Sequence, residues 1–187
     1  MSDLTITEGG VTVTKNSGGE FHSADKKLNQ MNIDIIELTP GTTTNACSDG
    51  EIIWDNEKLE NLTATKGGSC VLQSIGLLDD DDHGGAIDLV FFNASSSLGT
   101  EGGVIDAADG AVPDAILGVV QISNYFDGVA WKYGHKENIG LVLKSAADSR
   151  DIYVGAVNRS GGALTWTAAG LLLKVGVVQD YCFHLEE

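Results

Sequence analysis

The stretch of sequence that decides the fold is Ser69–Asn93, SCVLQSIGLLDDDDHGGAIDLVFFN. Two apolar runs, Val71–Leu78 and Ala86–Phe92, lie on either side of four aspartates, one histidine and two glycines. The runs are short and rich in branched and aromatic residues, which is typical of strands. We therefore predict two paired strands joined by a sharp polar turn.

Six more strand-like runs follow downstream, separated by short connections that contain glycine, serine or aspartate. In two of them, Asp151–Asn158 and Leu171–Val178, the side chains alternate so that one face of each strand is expected to be buried. The six runs are Gly118–Phe126, Gly128–Tyr133, Ile139–Lys144, Asp151–Asn158, Leu164–Ala169 and Leu171–Val178.

The segments before and between these runs add little helix. Glu51–Trp54 has strand character, and Asn56–Ala64 fits either one helical turn or a strand with a kink. Pro113 suits the first turn of a short helix, with Asp109 as its cap and Ile116–Leu117 on its apolar side. About ten short strands with one short helix predict an all-β protein with a jelly-roll-like β-sandwich.

The N-terminal region differs from the rest of the chain. Leu4–Thr7 and Val11–Thr14 alternate weakly, Lys15–Lys27 is polar, and Met31–Leu38 returns to strand character. We predict an extended arm over residues 1–46 and a sandwich body over 47–187. A disordered tail is the alternative for roughly the first 25 residues.

Charge excludes several classes of function. The chain has 27 Asp and Glu against 11 Lys and Arg, a formal net charge of −16, which repels nucleic-acid backbones and anionic lipid. No run approaches the ~18 apolar residues of a membrane span, and the N-terminus has no basic and apolar signal-like segment. We expect synthesis in a reducing cytoplasm, with Cys47, Cys70 and Cys182 as buried free thiols.

The four aspartates raise the question of a metal site. Asp79, Asp81 and Gly84 fall at positions one, three and six of a calcium-binding loop. His83 stands at position five, however, and Val90 stands at position twelve, where a bidentate glutamate is needed. Asp79 and Asp81 are therefore weak metal candidates, and a solvated turn is the favoured interpretation. We predict no cofactor.

Catalytic patterns are missing from the sequence. Its serines do not lie on a nucleophile elbow, and it has no phosphate-binding glycine loop. A pair of carboxylates of the kind that hydrolyses glycosides is not excluded, but 27 acidic residues always include pairs, so their abundance is not evidence for one. We predict no enzymatic activity and no catalytic residue. The histidines, none at zinc-ligand spacing, are His22, His83, His135 and His184.

Aromatic residues cluster in one short segment. Tyr125, Phe126, Trp131 and Tyr133 occur within nine residues. If they are exposed, they suit a protein interface or sugar stacking, and otherwise they are half buried in a hairpin.

Several motifs resemble a widespread group of small structural proteins of tailed phages and prophages. The shared features are the VLQS strand at Val71, the DDDDHG turn, the AIDLVFF strand at Ala86, the SLGTE loop at Ser97 and the closing GLLLKVG strand at Gly170. The resemblance covers Gly67–Asp180.

This resemblance implies a virion protein without enzymatic activity: a decoration (cement) protein, expected as a homotrimer, that binds the major capsid protein on the outer capsid surface. Its N-terminal arm is the first candidate for contact and the aromatic hairpin is the second. A carbohydrate-binding or host-attachment module of a head or tail fibre is the alternative. The interface candidates are Leu4, Ile6, Val11, Val13, Tyr125, Phe126, Trp131 and Tyr133.

Overall fold

A computed structural model describes residues 4–8, 11–15, 21–23, 32–106 and 111–179, with side chains for 33–106 and 113–179. The chain divides into two compact units. The first contains three short strands, and the second begins at Ile33. The boundary predicted between residues 46 and 47 thus lies inside the second unit.

The first unit contains an antiparallel sheet of β1 (Leu4–Glu8), β2 (Val11–Lys15) and β3 (Phe21–Ser23), in that order. In β1 and β2 the register places Ile6 opposite Val13. The two weakly alternating segments, Leu4–Thr7 and Val11–Thr14, therefore lie in strands that pair with each other.

The second unit is a two-sheet sandwich. Its five-stranded sheet has the order β4-β12-β6-β10-β9, and its four-stranded sheet has the order β5-β11-β7-β8. Its elements are β4 (Asn32–Leu38), β5 (Ile52–Leu59), β6 (Ser69–Asp79), β7 (Ile87–Phe92), α1 (Ala111–Ala115), β8 (Ile116–Ile122), β9 (Tyr125–Asp127), β10 (Lys132–Lys144), β11 (Ile152–Asn158) and β12 (Leu171–Gln179).

The inward faces of both sheets form one apolar core. The predicted alternation is confirmed in β12, where Leu171, Leu173, Val175 and Val177 are fully buried. Trp54 on β5 is also buried, and its indole N–H donates to the Val154 carbonyl at 3.2 Å. This bond satisfies the one polar atom of a large core side chain, so the ring is buried without an unpaired donor. The all-β sandwich class is thus confirmed.

The two strands of the opening motif do not pair with each other, and this part of the prediction is wrong. β6 lies between β10 and β12 in the five-stranded sheet, whereas β7 lies between β8 and β11 in the other. The polar turn therefore crosses from one sheet to the other. Alternation in the sequence indicates only that one face of a strand is buried. β6 and β7 both bury a face on the same core, but from opposite sheets, so the pattern could not show that they are unpaired.

Three other strand predictions differ from the structure. Gly118–Phe126 was expected as one strand but is divided between β8 and β9. Gly128–Tyr133 and Ile139–Lys144 were expected to be separate, but β10 runs through with an irregularity after Glu137. Asn138 and Gly140 have positive φ angles of 56° and 70°, so a bulge continues the strand where glycine suggested a loop. Leu164–Ala169 is not a strand, since only Leu164 forms a bridge, to Cys47.

Two other predictions, a short helix and buried free thiols, are confirmed among the described residues. A short helix surrounds Pro113, although Ile116 and Leu117 belong to β8 and Asp109 lies outside the described residues. Cys47 and Cys70 are buried free thiols, and Cys182 lies outside the described part of the chain. No helix among the described residues has the length and hydropathy to cross a membrane.

Candidate interaction surface

The outer face of the five-stranded sheet, here called the open face, carries unusual apolar exposure. Ile33 and Ile35 on β4 are 74% and 64% exposed, and Val142 on β10 is 59% exposed. Single exposed apolar residues are ordinary, but several on one sheet face mark a surface that suits a partner.

At one end of the open face, four strands contribute one row of apolar side chains. The register places Phe126 of β9 opposite Tyr133 of β10, Tyr133 opposite Leu78 of β6, and Leu78 opposite Leu172 of β12. Residues in such a row lie on the same face of a sheet at successive strand spacings. Strand register therefore brings together side chains that are far apart in sequence.

This row lines a groove of about 490 Å³, here called the aromatic groove. Phe126 is 65% exposed and Trp131 is 39% exposed, and their ring centroids lie 5.8 Å apart with planes tilted by 35°. The groove is lined by Leu78, Asp80, Phe126, Trp131, Tyr133, Leu172 and Lys174.

Glycine positions hold two of these aromatic rings in place. A Cβ atom at Gly128 would approach the Trp131 indole to 2.6 Å, and the Gly128 N–H donates to the Trp131 carbonyl at 2.8 Å. Likewise, the Tyr133 hydroxyl occupies the space that a side chain at Gly76 would fill. Both rings thus lie closer to the backbone than any other residue type would allow.

Tyr125, the fourth predicted aromatic, plays a structural part instead. It is partly buried, and its hydroxyl donates to the Gly85 carbonyl at 2.9 Å. Burial, together with the nearby carboxylate of Asp79, raises the pKa of this phenol. Its ring packs against the core, so it contributes to the hairpin's attachment and not to the groove.

Charged groups border the groove. Lys132 donates to Asp127 at 2.8 Å and lies 3.2 Å from Asp82, which raises the pKa of its ammonium group. Lys174 contacts Glu37 at 2.7 Å, and this hydrogen bond raises the Lys174 pKa as well. Asp80 has no ion-pair partner within the described part of the chain. Of the two charged residues that line the groove, Lys174 is therefore paired with a carboxylate and Asp80 is not.

The acidic turn is built by its first aspartate. Asp79 is 1% exposed, and its carboxylate accepts backbone N–H bonds from Asp81, His83 and Gly84 at 3.1, 3.1 and 2.8 Å. The expectation of a solvated turn is wrong for this residue, because three backbone donors require an acceptor inside the turn. The Asp79 carboxylate therefore holds together the turn that connects the two sheets.

The other metal candidate also has protein partners. Asp81 accepts the Thr167 N–H at 2.8 Å and the Thr167 hydroxyl at 3.2 Å, while the His83 ring nitrogen lies 2.7 Å from the Thr165 carbonyl. These bonds tie the turn to the segment before β12. Among the described residues, no group of three or more His, Cys, Asp or Glu is arranged to hold a metal ion.

The N-terminal candidates lie in the first unit. Leu4 and Ile6 are in β1, and Val11 and Val13 are in β2, where only the backbone is described. Their proposed role in contact stays a prediction. The groove residues that the sequence did not single out are Leu78, Asp80, Leu172 and Lys174. Alternation already assigned Leu172 and Lys174 to the face of β12 opposite its buried residues, but no sequence signal placed them beside Trp131.

Three solved structures of viruses resemble this chain at low similarity. The capsid of Ralstonia phage GP4 is 16% identical with a TM-score of 0.36, over 85% of this chain and 90% of that chain. Desmodium yellow mottle tymovirus gives 12% identity and a TM-score of 0.25, over 84% of this chain and 87% of that chain. A structure of infectious bursal disease virus is 10% identical with a TM-score of 0.22, over 89% of this chain and 50% of that chain.

No protein-family model matches the sequence, and no curated protein is similar to it. Likenesses with TM-scores this low do not identify a function. The class that the structure itself defines is an antiparallel β-sandwich.

Proposed function

We propose that the chain is a structural protein of a tailed-phage virion that binds the outer capsid surface and stabilises it. In this role it acts as a decoration protein without enzymatic activity, forms a homotrimer, and has the major capsid protein as its partner. It is made in the host cytoplasm and resides on the capsid. The observation that carries the proposal is the open face, an apolar surface on a firmly packed sandwich.

The size of the open face suits a specific protein contact. Five strands about 4.8 Å apart, with strands about 30 Å long, span roughly 700 Å². A standard interface buries about 600–1,000 Å² on each partner, so the area of the face lies within that range. Its exposed apolar residues lie on β4, β9 and β10, at both edges and in the middle of the sheet.

The sequence resemblance supports the choice of partner. Its motifs include the VLQS segment within β6, most of the AIDLVFF segment as β7, and most of the GLLLKVG segment as β12. These strands lie in the core of the sandwich, so the resemblance concerns the whole body. The net charge of −16 adds a second argument, because it favours association with a basic surface and keeps the free subunit soluble.

The test uses capsids of the phage that encodes this chain, prepared from a mutant that lacks its gene. Purified protein is added and the mixture is sedimented. We expect saturable co-sedimentation and a higher temperature of capsid disruption, because a ligand that binds only the intact lattice stabilises it. Lack of binding at any ratio would contradict the proposal. Sedimentation equilibrium of the free chain tests the trimer separately.

A second experiment tests the N-terminal contact. Deletion of residues 1–19 removes the four apolar candidates of β1 and β2, and a variant with Leu4, Ile6, Val11 and Val13 changed to serine keeps the length. If the first unit contacts the capsid, both variants bind more weakly than the full chain. If both variants bind capsids as strongly as the full chain, the first unit is not needed for the contact, which must then be made by the sandwich.

One observation favours carbohydrate binding as a second function. The exposed Phe126 and Trp131 rings lie beside the carboxylate of Asp80, which has no ion-pair partner among the described residues, and aromatic rings with a nearby carboxylate suit sugar recognition. Under this alternative the chain is an attachment module of a head or tail fibre. Binding to immobilised glycans that is lost in Trp131→Ala and kept in Val129→Ala would favour it over capsid decoration.

A further inference from the structure

The aromatic groove has a shape that distinguishes between possible occupants. The 35° tilt between the Phe126 and Trp131 rings makes a wedge and not one flat platform. Across from it, Leu78 and Leu172 provide an aliphatic wall. A wedge closed by aliphatic side chains fits an inserted apolar side chain, whereas sugar rings pack best on flat aromatic surfaces.

The charges around the groove define the flanks of that occupant. Asp80 lines the groove and has no ion-pair partner among the described residues, whereas Lys174, the other charged residue of the lining, is paired with Glu37. A second copy of this chain would bring the same acidic border and another net charge of −16. Repulsion between like charges therefore disfavours self-association here, and a basic partner is attracted.

We propose that the aromatic groove binds a segment of a different protein in which an apolar side chain is flanked by Lys or Arg. The apolar side chain enters between Trp131 and Leu172, and a flanking cation pairs with Asp80. The inference rests on the proposed function in one respect, since it names the part of the open face that contacts the partner. A trimer of this chain would then use other surfaces.

The first experiment needs no capsid. The protein, labelled with ¹⁵N, is titrated with millimolar Lys-Trp-Lys, and Glu-Trp-Glu serves as the matched control peptide. Trp54 and Trp166 are 0% and 1% exposed, so their indole signals report no surface binding. We expect Lys-Trp-Lys to shift the Trp131 indole signal while the other two stay fixed, and Glu-Trp-Glu to bind at least about tenfold more weakly.

Two substitutions locate the contact. Trp131→Ala should weaken binding of Lys-Trp-Lys by about thirtyfold or more, as for a central aromatic anchor. Asp80→Asn should weaken it by about fivefold, with a smaller salt dependence. Val129→Ala is the control, because Val129 is fully exposed in the same hairpin and does not line the groove. It should bind like the unaltered chain.

Several results would overturn the proposal. Equal shifts with both peptides, or none with either, would show that the charged border does not select the occupant. A stronger Trp131 response to a panel of mono- and disaccharides would assign the groove to glycans. Loss of self-association in Trp131→Ala would make a second copy the occupant.

The capsid assay separates this inference from the proposed function. If the unaltered chain does not bind capsids, the proposed function fails, and the peptide titration still decides the chemistry of the groove. If it binds capsids and Trp131→Ala binds equally well, the groove is not the contact and the decoration role stands.

Discussion

The two sheets of the sandwich share one core but differ in what lies on their outer faces. Behind the four-stranded sheet, the segment 93–106 and α1 cover the strands and bury a second apolar cluster. On the five-stranded sheet, no described segment covers Ile35 or Val142. The cluster behind the four-stranded sheet contains Ile52, Val90, Phe92, Leu98, Ala115 and Val157.

The covering segment is attached by backbone hydrogen bonds. Ile52 and Gly102–Gly103 exchange two bonds, of 2.9 and 2.8 Å, and the Leu98 N–H donates to the Asp55 carboxylate at 2.8 Å. A long loop is ordinarily solvated, but here one apolar residue, Leu98, fills the space above β5 and β7. The cover is partial, because Val119 on β8, opposite Val90, is 54% exposed. The comparison shows that the covered part of one outer face contributes to the stability of the fold, whereas the open face has no such cover among the described residues.

Substitution of two phenylalanines gives the largest expected difference in stability between the two faces. Phe92, on the covered face, is 0% exposed, and Phe126, on the open face, is 65% exposed. Phe92→Ala should lower the free energy of unfolding by about 3–5 kcal/mol, because it leaves a cavity. Phe126→Ala, its matched control, should lower it by less than about 1 kcal/mol. Urea unfolding of both variants measures the difference.

Similar losses for the two phenylalanine variants would show that the faces are equivalent. That result would mean that the open face is buried in the free protein, through self-association or through the first unit. Repeating the unfolding of Phe126→Ala over a range of protein concentrations separates these cases, since only self-association makes the midpoint depend on concentration.

The second prediction concerns the covering segment. Leu98 is 3% exposed, and Leu98→Ala should lower the free energy of unfolding by about 2–4 kcal/mol. The rate of hydrogen exchange should rise first at Gly102 and Asp106. Their N–H groups donate to the carbonyls of Ile52 and Leu98, which hold the covering segment in place. Protection in β12, on the other sheet, should fall only with global stability. An equal early rise in β12 would mean that the cover does not unfold separately.

The difference between the faces was only partly readable from sequence. Alternation predicted the buried face of β12, since burial of one face repeats every second residue, but in β11 both faces are buried because the strand is central and covered on its outer side. Alternation does not say which strand lies beside which, so β6 and β7 were paired wrongly. Pairing depends on contacts between distant segments, as in the row from Phe126 to Leu172.

The role of one loop and one turn was not readable for a related reason. Residues 94–110 are rich in Gly, Ser, Ala and Asp, a composition typical of a loop, and the single leucine at position 98 gave no sign that this segment covers a sheet. Asp79 was expected in water because it begins a run of four aspartates. In the structure three backbone N–H groups need its carboxylate, and this requirement arises only once the turn has formed.

A third prediction tests the core that the two faces share. Cys70 lies on the inward face of β6, and burial raises the pKa of its thiol from 9.0 to about 12. The unfolded chain ionises first, so stability is unaffected below about pH 9 and falls between pH 9 and 12. The slope from this one group is at most about 1.4 kcal/mol per pH unit.

Cys70→Ala is the control for the thiol, because lysines and tyrosines also titrate at high pH. The variant should lose stability less steeply between pH 9 and 11 than the unaltered chain does, whatever its stability at pH 7. Parallel slopes in urea unfolding at pH 8, 9, 10 and 11 would mean that the thiol is not desolvated in the folded state.

The smallest expected effect is on the open face itself. Val142 is 59% exposed beside Val71 of β6. Val142→Lys should change the free energy of unfolding by less than about 0.5 kcal/mol, because the lysine ammonium reaches water from this position. Val90→Lys is the matched substitution on the covered face, where Val90 is 6% exposed, and it should prevent folding or cost several kcal/mol. If Val142→Lys instead unfolds the protein, an unseen contact covers the open face, and the partner surface proposed for it must lie elsewhere.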